Sequence, residues 1–293
     1  MFRGSIVALV TPMTAANEVD WAALDALLAW HLDQGTHGIV PMGTTGESAT
    51  LDTDEHLEVI KRTISVVAGQ VPVIAGTGSN ATAEAIHQTR EAQAFGADGC
   101  LLVTPYYNRP SQEGLYQHYK AVAEATDGPL VLYNVPPRTA CDMQAETVGR
   151  LAELPSIVGI KEACGDAERV ADIRALVSDE FLVLSGEDAQ TLRMLELGAV
   201  GTISVTANVL PAMMAQFCDA YLSGDVAAAR ALDERLQPIH EILFAEPSPT
   251  PTKWALFEMG RIDRGIRLPL LELTPPTQEE LRARLTAVGA LPV

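Results

Sequence analysis

Lysine is scarce in this 293-residue chain, occurring only as Lys61, Lys120, Lys161 and Lys253. Lys161 closes the apolar run Ile157-Val158-Gly159-Ile160-Lys161, which reads as a strand. The other three fall in helical patterns with polar neighbours. Apolar surroundings disfavour an ammonium and lower its pKa. The neutral amine that results can attack a ketone and form a Schiff base. Lysine is seldom buried unless paired, so a structural ion pair is the competing reading. Glu162 is the sequence neighbour, but adjacent strand residues point to opposite faces.

Other apolar runs end in residues with chemistry of their own. Gly43-Thr44-Thr45-Gly46-Glu47-Ser48 places two hydroxyls between two glycines. Glycine lets a backbone turn tightly and expose its N–H groups, and such groups with the hydroxyls make a cradle for a carboxylate. An ordinary capped turn is the alternative. In Tyr133-Asn134-Val135-Pro136-Pro137-Arg138-Thr139, the Tyr133 hydroxyl can donate and accept protons at a strand end. Arg138, set after two prolines, can grip a carboxylate with two parallel bonds. Tyr106 and Tyr107 adjoin in a loop, where exposed aromatics imply a subunit contact or a lid. Small residues around Gly186 and Ile203 leave room for a small ligand. Glu187 and Asp188 are expected at a helix N-terminus, where the dipole favours anions.

Eight strand-like runs position these residues: Ser5–Leu9, Gly38–Met42, Val71–Ala75, Cys100–Thr104, Leu130–Asn134, Ile157–Lys161, Phe181–Ser185 and Thr202–Thr206. Their nearly continuous apolar character suits parallel strands covered on both faces. Amphipathic stretches lie between them, including Trp21–Gln34, Asp54–Ala68, Ala81–Phe95 and Gln112–Thr126, with Asp20, Asp52, Asn80 and Ser111 as caps. Eight β–α units predict an α/β fold, a (β/α)8 TIM barrel whose active site sits at the C-terminal ends of its strands. A doubly wound sheet would carry a glycine-rich turn after its first strand, and Val10-Thr11-Pro12-Met13 has none. Helical patterns at Asp225–Leu243, Pro249–Gly260 and Gln278–Val288 follow. The expected division is a catalytic barrel over 1–224 and a C-terminal helical extension over 225–293.

Composition limits the function. Hydrophobic residues make up 47% of the chain and charged residues 20%, enough to build a core rather than a disordered chain. A net charge of −18 argues against nucleic acid or an anionic membrane as partner. No apolar run reaches a membrane span, and the start of the chain lacks a signal-peptide core, so a cytoplasmic address is expected. Cys100, Cys141, Cys164 and Cys218 form no zinc spacing and are expected to be buried thiols. No nucleotide, dinucleotide or metal motif is present, and no cofactor is expected.

The combination of Gly-Thr-Thr-Gly-Glu after the second run, Tyr-Asn-Val-Pro after the fifth and Gly-Ile-Lys-Glu after the sixth resembles the pyruvate-dependent class I aldolase family, that of N-acetylneuraminate lyase. The likeness covers the whole chain. Val103–Leu115 and Arg138 narrow it to the branch that condenses pyruvate with L-aspartate 4-semialdehyde toward lysine and diaminopimelate. The resemblance implies an imine on Lys161, a pyruvate carboxylate held at Thr45, and a proton relay of Tyr133, Thr44 and Tyr107, with Tyr107 reaching in from a neighbouring subunit of a homotetramer. It implies that Arg138 binds the semialdehyde carboxylate and that Gly186 and Ile203 line the pyruvate pocket. It also implies an inhibitory L-lysine site at Ser48, Ala49, His56, Asn80, Glu84 and Tyr106, although Thr53 stands where a histidine is often found. Two other readings compete. A lyase or dehydratase acting on a sugar acid would be better served by neutral donors than by Arg138. A catalytically dead barrel would not need every chemical residue in place.

Overall fold

The structure, a computed structural model, describes residues 2–292. Among them are eight strands: β1 (Gly4–Ala8), β2 (Gly38–Val40), β3 (Ile74–Gly76), β4 (Gly99–Val103), β5 (Leu130–Asn134), β6 (Ile157–Glu162), β7 (Leu182–Ser185) and β8 (Gly201–Ser204). All pair in parallel in the order β2-β1-β8-β7-β6-β5-β4-β3, and a parallel bridge from Ile39 to Val73 joins the two ends of that order. The ring is the expected (β/α)8 barrel. Two strands sit differently from their runs. The Val71–Ala75 run yields β3 only from Ile74, since Pro72 has no N–H for a ladder and serves through its carbonyl. The Thr202–Thr206 run stops at Ser204, because the Val205 and Thr206 N–H groups turn to the Asp188 carboxylate at 2.9 and 2.8 Å.

Both strand faces are buried, which explains the continuous apolar runs. Ile6, Val40, Ile74, Leu101, Val131, Leu184 and Ile203 fill the lumen. Val7, Ile39, Cys100, Leu132, Ile160 and Val183 pack outward beneath the helices. Three of the expected caps form: Asp20 accepts from Ala23 N–H, Asp52 completes a capping box with Glu55, and Ser111 accepts from Gly114 N–H. The fourth does not. Ala81 occupies the cap position of Thr82–Ala94, and Asn80 instead donates to the Tyr106 carbonyl at 3.2 Å. Cys100, Cys141 and Cys218 are buried free thiols, whereas Cys164 is only partly buried.

Helices Val226–Ile242, Thr250–Glu258 and Pro275–Val288 make up the tail. The last begins at Pro275 rather than Gln278, because proline suits a first helical turn. Their own apolar cluster includes Ile239, Ile242, Ala255, Leu281 and Leu285, together with Val209 from the barrel. Lys253 departs from its expected polar surroundings: it is 4% exposed, and its ammonium pairs with the buried carboxylate of Glu47. Among the described residues no helix is long and apolar enough to cross a membrane.

Gly76 ends β3 where it backs onto the turn after β2. A Cβ there would lie 2.2 Å from the Met42 carbonyl oxygen and 2.9 Å from Gly43 N. Gly76→Ala is therefore expected to lower unfolding stability by about 1–3 kcal/mol, as overpacking against rigid backbone does. A chemical-denaturation midpoint equal to the parent's would contradict this packing.

Candidate active site

Lys161 and Tyr133 face each other across the in-register pair of β5 and β6. Both point into the lumen, 5% and 6% exposed. The Lys161 Nζ lies 4.3 Å from the centre of the Tyr133 ring, and Lys161 forms no ion pair among the described residues. The structural-pair alternative fails on geometry. Glu162 lies on the outer face, where its carboxylate accepts from Asn134 Nδ2 at 3.0 and 3.2 Å and from Cys164 N–H at 2.9 Å. Gly186 touches the lysine stem so closely that a Cβ would lie 2.9 Å from Lys161 Cε and 2.7 Å from Ala163 Cβ. Ile203 packs in the same luminal cluster as Tyr133.

Thr44 and Thr45 open a short turn, Thr44–Gly46. Their N–H groups carry no backbone partner among the described residues, as at any helix start. The tight turn with free N–H groups forms as expected, but not through left-handed glycines. Gly43 is extended at φ −75°, and the left-handed positions are Met42 (φ 56°) and Glu47 (φ 58°). Each left-handed non-glycine costs on the order of 1–2 kcal/mol and persists only where packing enforces it. Thr11 Oγ1 donates to the Gly46 carbonyl at 2.7 Å and fixes the turn from the β1 side.

Arg138 is exposed on the short helix Pro136–Thr139, with prolines at its start. It lines a cavity of about 390 Å³ with Thr44, Val135 and Thr139. The same cavity reaches Ser48, Ala49, Thr53, His56, Glu84 and Tyr106. Asn80 is not among its lining residues; besides its bond to Tyr106, its carbonyl accepts from Asn108 Nδ2 at 2.8 Å. Glu84 accepts from Ser79 Oγ at 2.5 Å. The His56 Nε2 lies 2.7 Å from the Gly76 carbonyl, so Nε2 carries the hydrogen and Nδ1 is left to accept. Burial pulls the His56 pKa down, against that bond and the Glu84 charge.

Tyr107 is not brought to the site. It is 91% exposed, in a left-handed conformation at φ 73°, beside Tyr106 at 39%. Within one chain the relay of Tyr133, Thr44 and Tyr107 is therefore open. Glu187 and Asp188 also depart from a simple helix-end role. Asp188 is buried and, by taking the Val205 and Thr206 N–H groups, ties the β7 loop to the end of β8. Glu187 makes no capping bond to its turn. Burial and Asp188 raise its pKa, while the Lys161 and Arg138 charges oppose the rise, so its carboxyl lies within the field of both cations. Sequence reasoning missed that position because only the fold brings the ends of β5, β6 and β7 together. The ends of the strands thus carry a luminal amine beside a phenol, a turn with two threonine hydroxyls, and an exposed guanidinium.

Comparisons with known proteins bear on this chemistry. A model described as the dihydrodipicolinate synthetase family matches residues 1–288. A 4-hydroxy-tetrahydrodipicolinate synthase of Alcanivorax borkumensis is 57% identical over 293 residues, covering 100% of both chains. The crystal structure of a chloride-inhibited dihydrodipicolinate synthase from Acinetobacter baumannii, complexed with pyruvate, matches with a TM-score of 0.98 at 50% identity, over 99% of this chain and 100% of the other. A lysine-bound synthase of this kind from Cyanidioschyzon merolae matches at TM-score 0.95 and 40% identity, over 99% of each chain.

Behind the luminal pair, Glu162 belongs to a buried network. Asn134 Nδ2 also donates to Asp142 at 2.8 Å, and Arg169 donates to both Asp142 oxygens at 3.3 and 3.0 Å. Burial pushes the Glu162 carboxyl up to about 7, against the Arg169 charge and the bonds from Cys164 and Asn134, with Asp142 adding to the rise. A carboxyl raised on folding gives stability that is complete below its unfolded value and is lost as pH rises through the folded one. That window runs from 4.5 to about 7. Glu162→Gln does not titrate, so its stability relative to the parent should improve by about 3 kcal/mol across that range. Denaturation curves of the two proteins that stay parallel from pH 4.5 to 7.5 would contradict the assignment.

Proposed function

The chain belongs to the dihydrodipicolinate synthetase family, and from that premise we infer that it condenses pyruvate with L-aspartate 4-semialdehyde through an imine on Lys161. The observation that carries the site assignment is the luminal Lys161 beside Tyr133, without a carboxylate partner. The neutral amine attacks the pyruvate ketone carbon, and water leaves as the imine forms. Thr45, with the backbone beside it, holds the pyruvate carboxylate, and Thr44 stands in the relay between Tyr133 and Tyr107. The imine withdraws electrons, so a methyl proton passes to the relay at Tyr133 and an enamine remains. The enamine carbon attacks the aldehyde, and the new alkoxide takes a proton back. The amine of the condensed intermediate then adds to the former ketone carbon, expels Lys161 and closes the ring. Gly186 leaves free the space beside the Lys161 stem that a Cβ would fill, and Ile203 packs in the same luminal cluster as Tyr133.

The relay needs Tyr107, and its exposure fits a second copy of the chain that receives it. We propose a homotetramer built from dimers that exchange this residue, working in the cytoplasm, with residues 1–224 as catalytic barrel and 225–293 as helical extension. Arg138, facing the shared cavity, holds the semialdehyde carboxylate, which a polyhydroxylated sugar acid would not require. A coupled assay with pyruvate and aspartate semialdehyde tests the reaction directly. Arg138→Ala should lower kcat/KM for the aldehyde about ten- to hundredfold, the loss of one charge-assisted pair, while pyruvate still forms its imine. Equal damage to both half-reactions would contradict the assignment.

L-Lysine is the proposed inhibitor, at Ser48, Ala49, His56, Glu84 and Tyr106, with Asn80 acting through the Tyr106 backbone. The carboxylate of Glu84 suits an α-ammonium, and His56 Nδ1 suits the side-chain ammonium. Thr53 lines this cavity, and its short hydroxyl leaves that ammonium partly solvated, so inhibition should be partial. Titrating lysine at saturating pyruvate should show inhibition in the millimolar range that Glu84→Thr weakens. An unchanged response in the variant, or none in the parent, would remove the proposed site.

A further inference from the structure

Glu47 ends the Gly-Thr-Thr-Gly-Glu segment, yet it does not line the cavity that Thr44 lines. Its side chain is 1% exposed and turned away into the protein. One carboxylate oxygen pairs with the Lys253 ammonium, on helix Thr250–Glu258 of the tail, and the other accepts from Arg267 N–H at 3.1 Å. Arg267 itself grips Glu55 with two bonds of 2.6 and 2.7 Å and donates to the Thr50 carbonyl at 3.0 Å. Two separate pieces of the tail thus converge on the loop that presents Thr44 and Thr45.

Glu47 is also left-handed at φ 58°, a conformation that a non-glycine residue keeps only when its surroundings over-determine it. A buried ion pair is a poor source of stability compared with apolar side chains of the same volume. Apolar residues would fasten the tail to the barrel equally well. A carboxylate held by two donors does what they cannot: it fixes the direction of the side chain, and hence the backbone immediately after the cradle. Thr11 secures the other side of the turn through the Gly46 carbonyl.

We propose that Glu47 and Lys253 are positioning residues that hold Thr44 and Thr45 in register with Lys161, so that the helical tail sets how tightly the cradle grips the substrate carboxylate. This rests on the reading that the cradle receives pyruvate.

The test uses the full-length chain as Lys253→Met and as the double variant Glu47→Gln, Lys253→Met. Borohydride trapping at increasing pyruvate gives the half-saturating concentration for the Lys161 adduct; thermal unfolding and the KM for the aldehyde are measured alongside. Lys253→Met should lose stability, because Glu47 is left buried without its counter-charge. The uncharged pair should recover stability. In both proteins the half-saturating pyruvate concentration should rise about tenfold, the scale of one misaligned bond to a charged group, while the aldehyde KM stays within about twofold of the parent. A double variant that recovers stability and saturates at the parental pyruvate concentration would reduce the pair to a structural contact and overturn the proposal. A double variant that does not fold would overturn it too, since the pair would then serve stability. A parent that forms no adduct on Lys161 would overturn the reaction reading and this proposal with it, whereas a parental adduct with unshifted variants overturns this proposal alone.

Discussion

The register of β5 against β6 puts two side-chain pairs back to back. Tyr133 meets Lys161 on the inner face, and Asn134 meets Glu162 on the outer. Because strand residues alternate faces, a slip of one residue would exchange the two pairs, turning a carboxylate into the lumen and the amine out under the helices. The outer pair resists that slip. The Asn134 side chain donates to Glu162 and Asp142 through Nδ2 and, through Oδ1, accepts from the Met143 N–H at 2.9 Å. A buried polar network of this kind is strongly directional when every member is satisfied. The chemistry proposed for the lumen therefore depends on hydrogen bonds that no substrate touches.

Around that pair, each barrel-top loop is fastened by a different device. Asp188 draws the end of β8 to the β7 loop, Thr11 and Glu47 hold the two sides of the threonine turn, and Gly76 lets β3 back onto Met42. The segment around Tyr106 is pinned to the β3 loop by bonds between Asn80 and both Tyr106 and Asn108, while the neighbouring Tyr107 side chain is 91% exposed. Of the three residues proposed for the relay, Tyr107 is the exposed one, and the proposed exchange between two chains is what would bring it to Lys161. Likewise, Ser48, Ala49, His56, Glu84 and Tyr106, proposed for L-lysine, line one cavity with Thr44 and Arg138 of the mouth. That is a physical route between the sites, while coupling itself is a matter of binding free energies.

Much of this was legible in the chain. The eight strands stood out because burial on both faces makes each run apolar throughout, and Lys161 stood out because it ends one of them. Asp20, Asp52 and Ser111 cap as their types suggest, since capping is decided within a few residues. What was hidden depends on distant partners. Lys253 looked like a helical surface lysine because Glu47 lies far away in sequence. The left-handed residues of the threonine turn are Met42 and Glu47 rather than its glycines, because tertiary packing there overrides local preference. Glu187 faces Lys161 and Arg138 only once three strand ends converge. Asn80 had the right type for a cap, but the neighbouring loop offered its side chain a carbonyl instead. The Lys161 amine, the threonine cradle, the Tyr133 hydroxyl and the Arg138 guanidinium were legible from residue type and place, whereas the relay through Thr44 to Tyr107 and the L-lysine positions came from resemblance.

The central claim is that the Lys161 amine is the covalent anchor for pyruvate. A crystal grown with pyruvate tests it most directly. Continuous density is expected from Lys161 Nζ to the former ketone carbon, with the carboxylate lying at Thr45. Pyruvate lying detached from Lys161, or joined to Lys253, would contradict it.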